Sequence, residues 1–317
     1  MIYIPLLRNF PLTGSNKNIA MKSFFFAITA IITFSIALVS CQREVDWSIN
    51  NPTAADSSYL IRANVFDTTL APGTDTLQWL SFQYDAQKRL TTMFSRFKGI
   101  SSPDDTTVFT FSYQGNDTLP FKYVYEEKYY FGLVRNHRQT TVHNLFLNGF
   151  VSQDSAIFID MISGTNFGAD VNKFLVSGGT VNRYEANYNF IGGNYVLNTR
   201  DTGVYAFTQT LGNITSQTLL SGSGAYESAQ VTYDNKFNPL GKIIKLRYPV
   251  FESPYFEVWS NQPSNALQIQ YKEPFNPLYQ DTYTYQYRAD GYPVSHTYST
   301  TGGTASYNKA KYFYTTL

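Results

Sequence analysis

Disulfide chemistry is absent from this chain, because its 317 residues include a single cysteine, Cys41. One cysteine cannot form an intramolecular disulfide. Charge is also scarce, since acidic and basic residues make up only 15% of the chain and the formal net charge is +1. Without residues 1–40, which hold three basic residues and no acid, 21 basic residues face 23 acidic ones, a net charge of −2. A nearly neutral chain gives no electrostatic reason to expect a nucleic acid as partner.

Long stretches of Ala, Leu, Glu and Lys at helical spacing are missing as well, whereas aromatic residues make up 17% of the chain. Tyr and Phe favour half-buried pleated surfaces over helices. Residues 78–84 show the recurring pattern, because alternation places Leu80, Phe82 and Tyr84 on one face of a strand. We therefore expect residues 59–317 to form an all-β domain, an antiparallel meander of hairpins that makes a strongly curved or barrel-like sheet.

Signatures of catalysis and metal binding are missing too. Two of the three histidines, His137 and His143, are six residues apart, so on one strand they share a face but lie about 20 Å from each other. Gly222-Ser223-Gly224 falls short of both a nucleophile elbow and a dinucleotide-binding loop. Adjacent acids such as Asp104-Asp105 favour solvated turns over a catalytic pair. The sequence predicts no catalytic residue, no metal and no cofactor, and it favours a protein that is not an enzyme.

The N-terminal region carries an export signal. Residues 21–40 combine a short positive start with an apolar run, which is typical of a signal peptide and predicts a signal helix rather than a lasting membrane span. The ending Leu38-Val39-Ser40-Cys41 resembles the bacterial lipobox, in which cleavage precedes a cysteine that is then acylated. We expect Cys41 to hold the protein on a membrane through its lipid, with residues 41–58 as a flexible tether.

Two questions about this region stay open. Residues 1–20 either are not translated or form a long positive segment ahead of the signal. The outer membrane is favoured over the inner one, but the sequence does not decide between its periplasmic and surface faces.

A hairpin pattern recurs along the body of the chain. Residues 231–240 return almost letter for letter at 269–278, and looser versions occur at 84–90 and 287–294. Each combines an aromatic strand end, a polar turn and an apolar residue that opens the next strand, which predicts a β-hairpin. We interpret the repeat as one hairpin design that was copied. The segment 221–225 is a candidate boundary, either between two domains or between two hairpins.

Aromatic side chains are the candidate binding residues. Tyr283, Tyr285 and Tyr287 lie at alternate positions and therefore on one face of a strand, with polar residues on the other. With Trp79 and Trp259 they are predicted to form a surface for a glycan or an apolar ligand, because aromatic faces stack on flat apolar surfaces. The alternative is that these rows only cover a sheet face.

The amino-acid sequence of the repeat resembles that of a known family. Tyr233-Asp234-Asn235-Lys236-x-Asn238-Pro239-Leu240, followed by Tyr283-Thr284-Tyr285-x-Tyr287-x-Ala289-Asp290-Gly291-Tyr292-Pro293, is similar to the DUF4595-type domain of bacterial lipoproteins. The match covers about residues 226–298. It implies a porin-like fold and an envelope location, and it supplies no catalytic residues.

These observations favour a lipid-anchored protein of the cell envelope that binds or scaffolds without catalysis. A glycan-processing hydrolase would instead show acids that converge in a cleft. A lipid-carrying half-barrel would show an apolar concavity large enough for acyl chains. A membrane-spanning barrel is disfavoured, because the polar strand faces carry Lys, Arg, Gln and Thr where lipid would require apolar residues.

Overall fold

A computed structural model describes most of the β domain, namely residues 58–67, 76–99, 103–131, 134–224, 227–251, 262–273, 278–301 and 307–317. The signal peptide, Cys41, nearly all of the tether and Trp259 lie outside the described residues. Within the described ranges, no helix is long and apolar enough to cross a membrane.

Sixteen strands form one closed antiparallel barrel, which confirms the predicted all-β meander. Of the two predicted shapes, a strongly curved sheet or a barrel, the structure has the barrel. Each strand pairs with its neighbours in sequence, and β1 pairs with β16 to close the ring. The strands are β1 (Ser58–Asp67), β2 (Thr76–Tyr84), β3 (Leu90–Phe97), β4 (Asp105–Ser112), β5 (Lys122–Phe131), β6 (Val134–Leu147), β7 (Phe150–Asp160), β8 (Thr165–Ser177), β9 (Thr180–Ile191), β10 (Asn194–Thr210), β11 (Asn213–Gly222), β12 (Ser228–Phe237), β13 (Ser264–Lys272), β14 (Leu278–Tyr287), β15 (Pro293–Thr301) and β16 (Tyr307–Thr316).

The barrel has two ends, which we name by the chain segments found there. The near end holds Ser58, where β1 begins, and the far end holds the Gly192-Gly193 turn between β9 and β10. The candidate boundary at 221–225 begins with the last two residues of β11 at the far end. β11 pairs with β10 on one side and with β12 on the other, so this segment joins adjacent strands of the same barrel.

The inner face of the barrel is the hydrophobic core. On β4 and β5, the rings of Phe109, Phe111, Tyr123 and Tyr125 face inward and pack at centroid distances of 5.4–6.5 Å. The outer face of β12 to β15 is built instead from hydroxyl and amide side chains. These are Gln230, Thr232, Gln268, Gln270, Gln280, Thr282, Thr284, Gln286, Thr297 and Ser299. Over β12 to β15, this apolar inner face and mainly polar outer face are the reverse of the pattern of a lipid-embedded barrel.

Residues 239–251, the described first part of the connection between β12 and β13, lie in the near half of the barrel interior. Asn238 caps a short helix, α1 (Pro239–Ile243), by accepting from the Leu240 main-chain N–H, and Pro239 occupies the first turn, where its missing N–H costs nothing. The chain then continues irregularly to Phe251. Six of its apolar side chains are at most 6% exposed. They are Ile243, Ile244, Leu246, Tyr248, Val250 and Phe251.

This inserted segment, residues 239–251, is hydrogen-bonded to the barrel wall. The Val151 N–H of β7 donates to the Arg247 carbonyl, and Gln217 of β11 accepts from the Phe251 N–H. The Tyr248 ring meets the Phe174 ring of β8 edge to face at 5.7 Å. The segment therefore completes the core that a ring of sixteen strands would otherwise leave open.

The inserted segment also corrects the interpretation of the repeat. The copy at 231–240 leads into α1 at the near end, whereas the copy at 269–278 spans the β13–β14 connection at the far end. The two similar sequences therefore adopt different structures, and the interpretation that one hairpin design was copied between these two segments is wrong. The looser versions do form near-end turns, between β2 and β3 and between β14 and β15.

Candidate functional site in the barrel interior

The structure separates the aromatic residues that the sequence grouped together. Tyr283, Tyr285 and Tyr287 share the inner face of β14, as predicted, and neighbouring rings stack at 6.3 and 5.8 Å. Trp79 points outward, because the adjacent Leu80 pairs with the buried Ala63, and its ring lies under the Arg96 guanidinium at 5.0 Å. Trp79 and the tyrosines are thus on opposite sides of the wall and cannot contact one ligand.

The tyrosine row is held by its own neighbours. The His296 ring meets Tyr283 and Tyr285 edge-on at 5.6 and 5.3 Å, and its Nδ1 is 2.8 Å from the Tyr312 hydroxyl. The Tyr287 hydroxyl donates to Asp234. Burial lowers the pKa of His296 to about 4, so the ring is neutral. These contacts favour the packing role that was the alternative for this row.

A row of polar side chains crosses the opposite part of the inner wall. Asn144, Asp154, Asn172, Glu185 and Asp201 lie on the five adjacent strands β6 to β10, and each pairs directly with the next across the sheet. Directly paired residues point to the same face of a sheet. We call this row the polar ladder, and it brings three carboxylates and two amides together inside the barrel.

Hydrogen bonds and ion pairs organise the polar ladder. The Asn172 amide donates to Asp154 Oδ1 at 2.9 Å. Arg183, one step nearer to the near end on β9, lies 3.6 Å from the Glu185 carboxylate and 3.9 Å from that of Asp201. A second inward row lies one step toward the far end. Its Asn187 amide donates to Glu185 Oε1 at 3.2 Å and to the Thr199 hydroxyl at 3.0 Å.

Asp170 belongs to the second row, because it pairs with Asn187. Asp170 and Glu185 are therefore diagonal neighbours on β8 and β9, a spacing of roughly 7–8 Å between backbone positions. Burial, with Glu185 as the second cause, raises the pKa of Asp170 to about 6. Burial likewise raises the pKa of Asp154 to about 6, although the Asn172 hydrogen bond opposes the shift. Near neutral pH the interior therefore holds carboxyl groups close to their titration range.

Solvent access increases along the polar ladder from β7 to β10. Asp154 is fully buried beside the inserted segment, whereas the side chains of Glu185 and Asp201 keep 28% and 47% of their exposure. Among the described residues, the inserted segment packs on the β7–β8 side of the ladder, where the Tyr248 ring meets Phe174, and side-chain exposure is greatest on the β9–β10 side. An inward-facing carboxylate that meets solvent is available to a ligand that enters the barrel.

No sequence motif marks these residues, since they are dispersed over 58 positions from Asn144 to Asp201. A weaker signal exists in the strand patterns. On β8, Asp170 and Asn172 alternate in phase with Phe174, and therefore lie on the face that should be apolar. A polar residue on the apolar face of a strand costs free energy unless it has a partner, so it marks a position with a separate role.

The histidines of β6 lie where the spacing predicted, on one strand and on its outer face. His137 Nε2 is 2.6 Å from Glu126 Oε1, and His143 pairs with Lys122. Over the described part of the chain, no group of three or more His, Cys, Asp or Glu side chains is arranged to hold a metal ion.

Comparisons with known proteins return similarity of fold alone. The chain resembles a porin-like protein from Bacteroides uniformis ATCC 8492 with a TM-score of 0.43 and 12% identity, covering 81% of this chain and 96% of the other. It also resembles a porin-like protein from Bacteroides vulgatus ATCC 8482 with a TM-score of 0.45 and 14% identity, covering 82% and 100%. No family model matches the sequence, and no curated protein matches it.

Proposed function

We propose that this chain is a lipid-anchored cell-envelope protein of the DUF4595-type family, which its sequence resembles. We also propose that its barrel binds a hydroxyl-rich ligand, such as a glycan, without catalysing a reaction on it. The polar ladder carries the proposal. Carboxylates accept hydrogen bonds from sugar hydroxyls and amides both donate and accept, so a row of both can match several hydroxyls of one ligand. The open side of the ladder, at Glu185 and Asp201, is the point of contact.

A ligand of this kind fits better than an apolar one. In the near half of the barrel, the apolar inner wall packs against the inserted segment, with Leu246 and Tyr248 fully buried. The tyrosine row of β14 is engaged with His296, Tyr312 and Asp234. A lipid-carrying half-barrel would need an uncovered apolar concavity, and the described residues form a closed ring with a packed core.

Calorimetric titration of the full chain with a panel of soluble envelope glycans tests the binding. Glu185→Gln keeps the size of the side chain but removes a charged acceptor, and we expect it to weaken binding about tenfold, since hydrogen bonds to charged groups contribute about 1.5–3 kcal/mol. Thr284→Ala, on the outer face, is the matched control and should bind as the wild type does. Absence of binding across the panel, or equal binding by both variants, would refute the proposed site.

A glycan-processing hydrolase is the second candidate, and one observation favours it. Asp170 has a raised pKa, and the neighbouring charge of Glu185 contributes to the shift. A protonated acid beside an ionised carboxylate is the pairing that glycoside hydrolysis uses. Mass spectrometry of the same glycans after incubation decides between the two. Cleavage that disappears in both Asp170→Asn and Glu185→Gln would replace binding by catalysis.

The anchor is tested separately. Metabolic labelling with radioactive palmitate should label the wild-type chain and leave Cys41→Ala unlabelled, and the variant should leave the membrane fraction. Protease treatment of intact cells then distinguishes the surface face from the periplasmic one. A label that persists in Cys41→Ala would overturn lipidation at this residue.

A further inference from the structure

Two neighbouring hairpins at the far end expose an apolar surface. In the β7–β8 turn, the exposed fractions of Met161 and Ile162 are 39% and 63%. In the β9–β10 hairpin, those of Ile191 and Val196 are 59% and 47%. Tyr195 and Leu197 of the second hairpin are 42% and 40% exposed. We call these six residues the tip patch. Isolated exposed apolar residues are ordinary, but a contiguous group of them marks an interaction surface.

The tip patch is one unit rather than two mobile ends. The Asn166 amide of β8 donates to the Tyr195 hydroxyl of β10 at 2.5 Å, which joins the two hairpins. The Phe190 ring packs against Tyr195 at 5.0 Å. Asp160 accepts from the Ile162 N–H and the Ser163 hydroxyl, which fixes the β7–β8 turn with its apolar side chains outward.

Charge is sorted between the two faces of the wall that bears the tip patch. On β5 to β10, five basic side chains point outward, whereas Glu126 is the one outward acid in the described part of these strands. Glu126 is paired with Lys128 at 3.2 Å and with His137. The outward cations are Lys122, Lys128, Arg135, Lys173 and Arg200. The acids of these strands face the interior as Glu127, Asp154, Asp170, Glu185 and Asp201. Asp160 ends β7 beside the tip patch, and on the outer face of these strands the cations exceed the acids by five to one.

Apolar side chains at the ends of two hairpins, with Arg135 and Arg200 on the outer face of strands that begin at the same end, match the chemistry of a membrane surface that carries anionic lipids. Short apolar insertions into the headgroup region combine with Lys and Arg attraction to such lipids. A flat or concave apolar patch would suit a protein partner better, whereas apolar side chains at the ends of two joined hairpins can enter a fluid bilayer together. The outer face of β12 to β15 carries mainly Gln and Thr side chains, with Leu278 as its exposed large apolar residue at the far end over the described ranges.

We propose that the tip patch docks on an anionic lipid surface, with Ile162, Ile191 and Val196 inserted among the headgroups and Arg135 and Arg200 above them. This contact is separate from the acyl chains expected at Cys41. It turns the far end of the barrel toward the bilayer.

A site-specific fluorophore tests the docking. Every protein is the full chain with Cys41→Ser, so that a polarity-sensitive dye attaches only at the cysteine introduced by Val196→Cys or, as the matched control, by Thr284→Cys on the polar wall. Vesicles of phosphatidylcholine are compared with vesicles that also contain phosphatidylglycerol, and both carry a headgroup-level quencher. The measurement compares the environment of the dye at position 196 with that at position 284 and does not measure total binding. Binding through the apolar residues 24–39 brings both labelled proteins to the vesicle equally and therefore does not produce a difference between the two positions.

The dye at position 196 should shift to shorter wavelength and be quenched severalfold more than the dye at 284, and only on the anionic vesicles. Arg135→Gln and Arg200→Gln should each raise the lipid concentration for half-response by about fivefold. Equal responses at 196 and 284, or equal responses on both vesicle types, would overturn the proposal. So would a shift at 196 that rises with protein concentration in the absence of vesicles, since a second copy of the chain would then be the occupant. Thermal melting of each variant checks that the barrel is folded.

Discussion

The hydroxyl of Tyr84, at the last position of β2, donates a 2.6 Å hydrogen bond to the main-chain oxygen of Leu60 near the start of β1. The bond ties the open end of the first hairpin at the near end of the barrel. Leu60 is 1% exposed, so its carbonyl would otherwise depend on the ladder alone. A tyrosine at a strand end is thus more than an apolar residue, because its hydroxyl satisfies a backbone group where the sheet pairing ends.

The same relationship occurs in three other hairpins of the barrel. In each, a tyrosine at or near the end of the even-numbered strand donates to a carbonyl at the start of the preceding strand. The pairs are Tyr113 with Leu90, Tyr233 with Ile214, and Tyr314 with Pro293, all at 2.8 Å. The aromatic residue that precedes the polar stretch of the repeats at 84–90 and 231–240 therefore has a structural role beyond packing.

Tyr84→Phe should therefore destabilise the protein by about 1–2 kcal/mol, because it keeps the ring and leaves the Leu60 carbonyl without its partner. The matched control is Tyr184→Phe, on the outer face at 45% exposure, where water replaces the lost bond. Its free energy of unfolding should change by less than about 0.5 kcal/mol. Urea denaturation followed by far-UV circular dichroism measures both. Equal values for the two variants would show that the Tyr84 bond contributes nothing beyond the ring.

Local patterns were sufficient to predict the strands and most near-end turns, because alternation and turn chemistry are encoded within about ten residues. Closure was not predictable in the same way. It depends on the pairing of Ser58 with Thr316, and nothing in either segment identifies the other. The polar ladder was missed for a related reason, since Asp154 and Glu185 become neighbours only through the register of the strands between them. The Asn238-Pro239 pair was interpreted as turn chemistry, whereas it begins a helix whose continuation enters the core.

Leu246→Ala tests whether the inserted segment is an integral part of the core. Leu246 is fully buried, so truncation should cost about 2–5 kcal/mol through lost burial and the cavity left behind. Leu211→Ala is the control, because Leu211 is 74% exposed in the β10–β11 turn and should change stability by less than about 0.5 kcal/mol. A small cost for Leu246→Ala in chemical denaturation would mean that the segment leaves the barrel easily.

Gly222→Ala tests whether residues 221–225 act as a linker or as part of the wall. Gly222 has φ of +87°, and a Cβ there would lie 2.0 Å from the Thr202 carbonyl oxygen of β10. We expect a cost of about 3 kcal/mol or more from strain and displaced backbone.

Gly115→Ala provides the comparison for Gly222→Ala. Gly115 also has a positive φ, +50°, but has no atom within 4 Å of the added carbon. Its cost should stay near 1 kcal/mol, the conformational part alone. If differential scanning calorimetry gave the same small loss for both glycines, the segment would behave as a linker rather than as a wall.

The buried carboxyl of Asp154 should make stability depend on pH in a defined direction. Its pKa is raised from an ordinary value near 3.8 to about 6 by burial, so the folded protein binds this proton more tightly than the unfolded chain does. The stabilisation is complete below pH ~4 and is lost as pH rises through about 6.

Asp154→Asn mimics the protonated form and still accepts from Asn172. It should be about 3 kcal/mol more stable than the wild type at pH 8 and similar to it at pH 4. Asp117→Asn, in an exposed turn, is the control and should leave the pH profile unchanged. Urea denaturation across this pH range is the measurement, and an Asp154→Asn variant that is less stable than the wild type at pH 8 would show that the ionised carboxylate is held by a favourable partner.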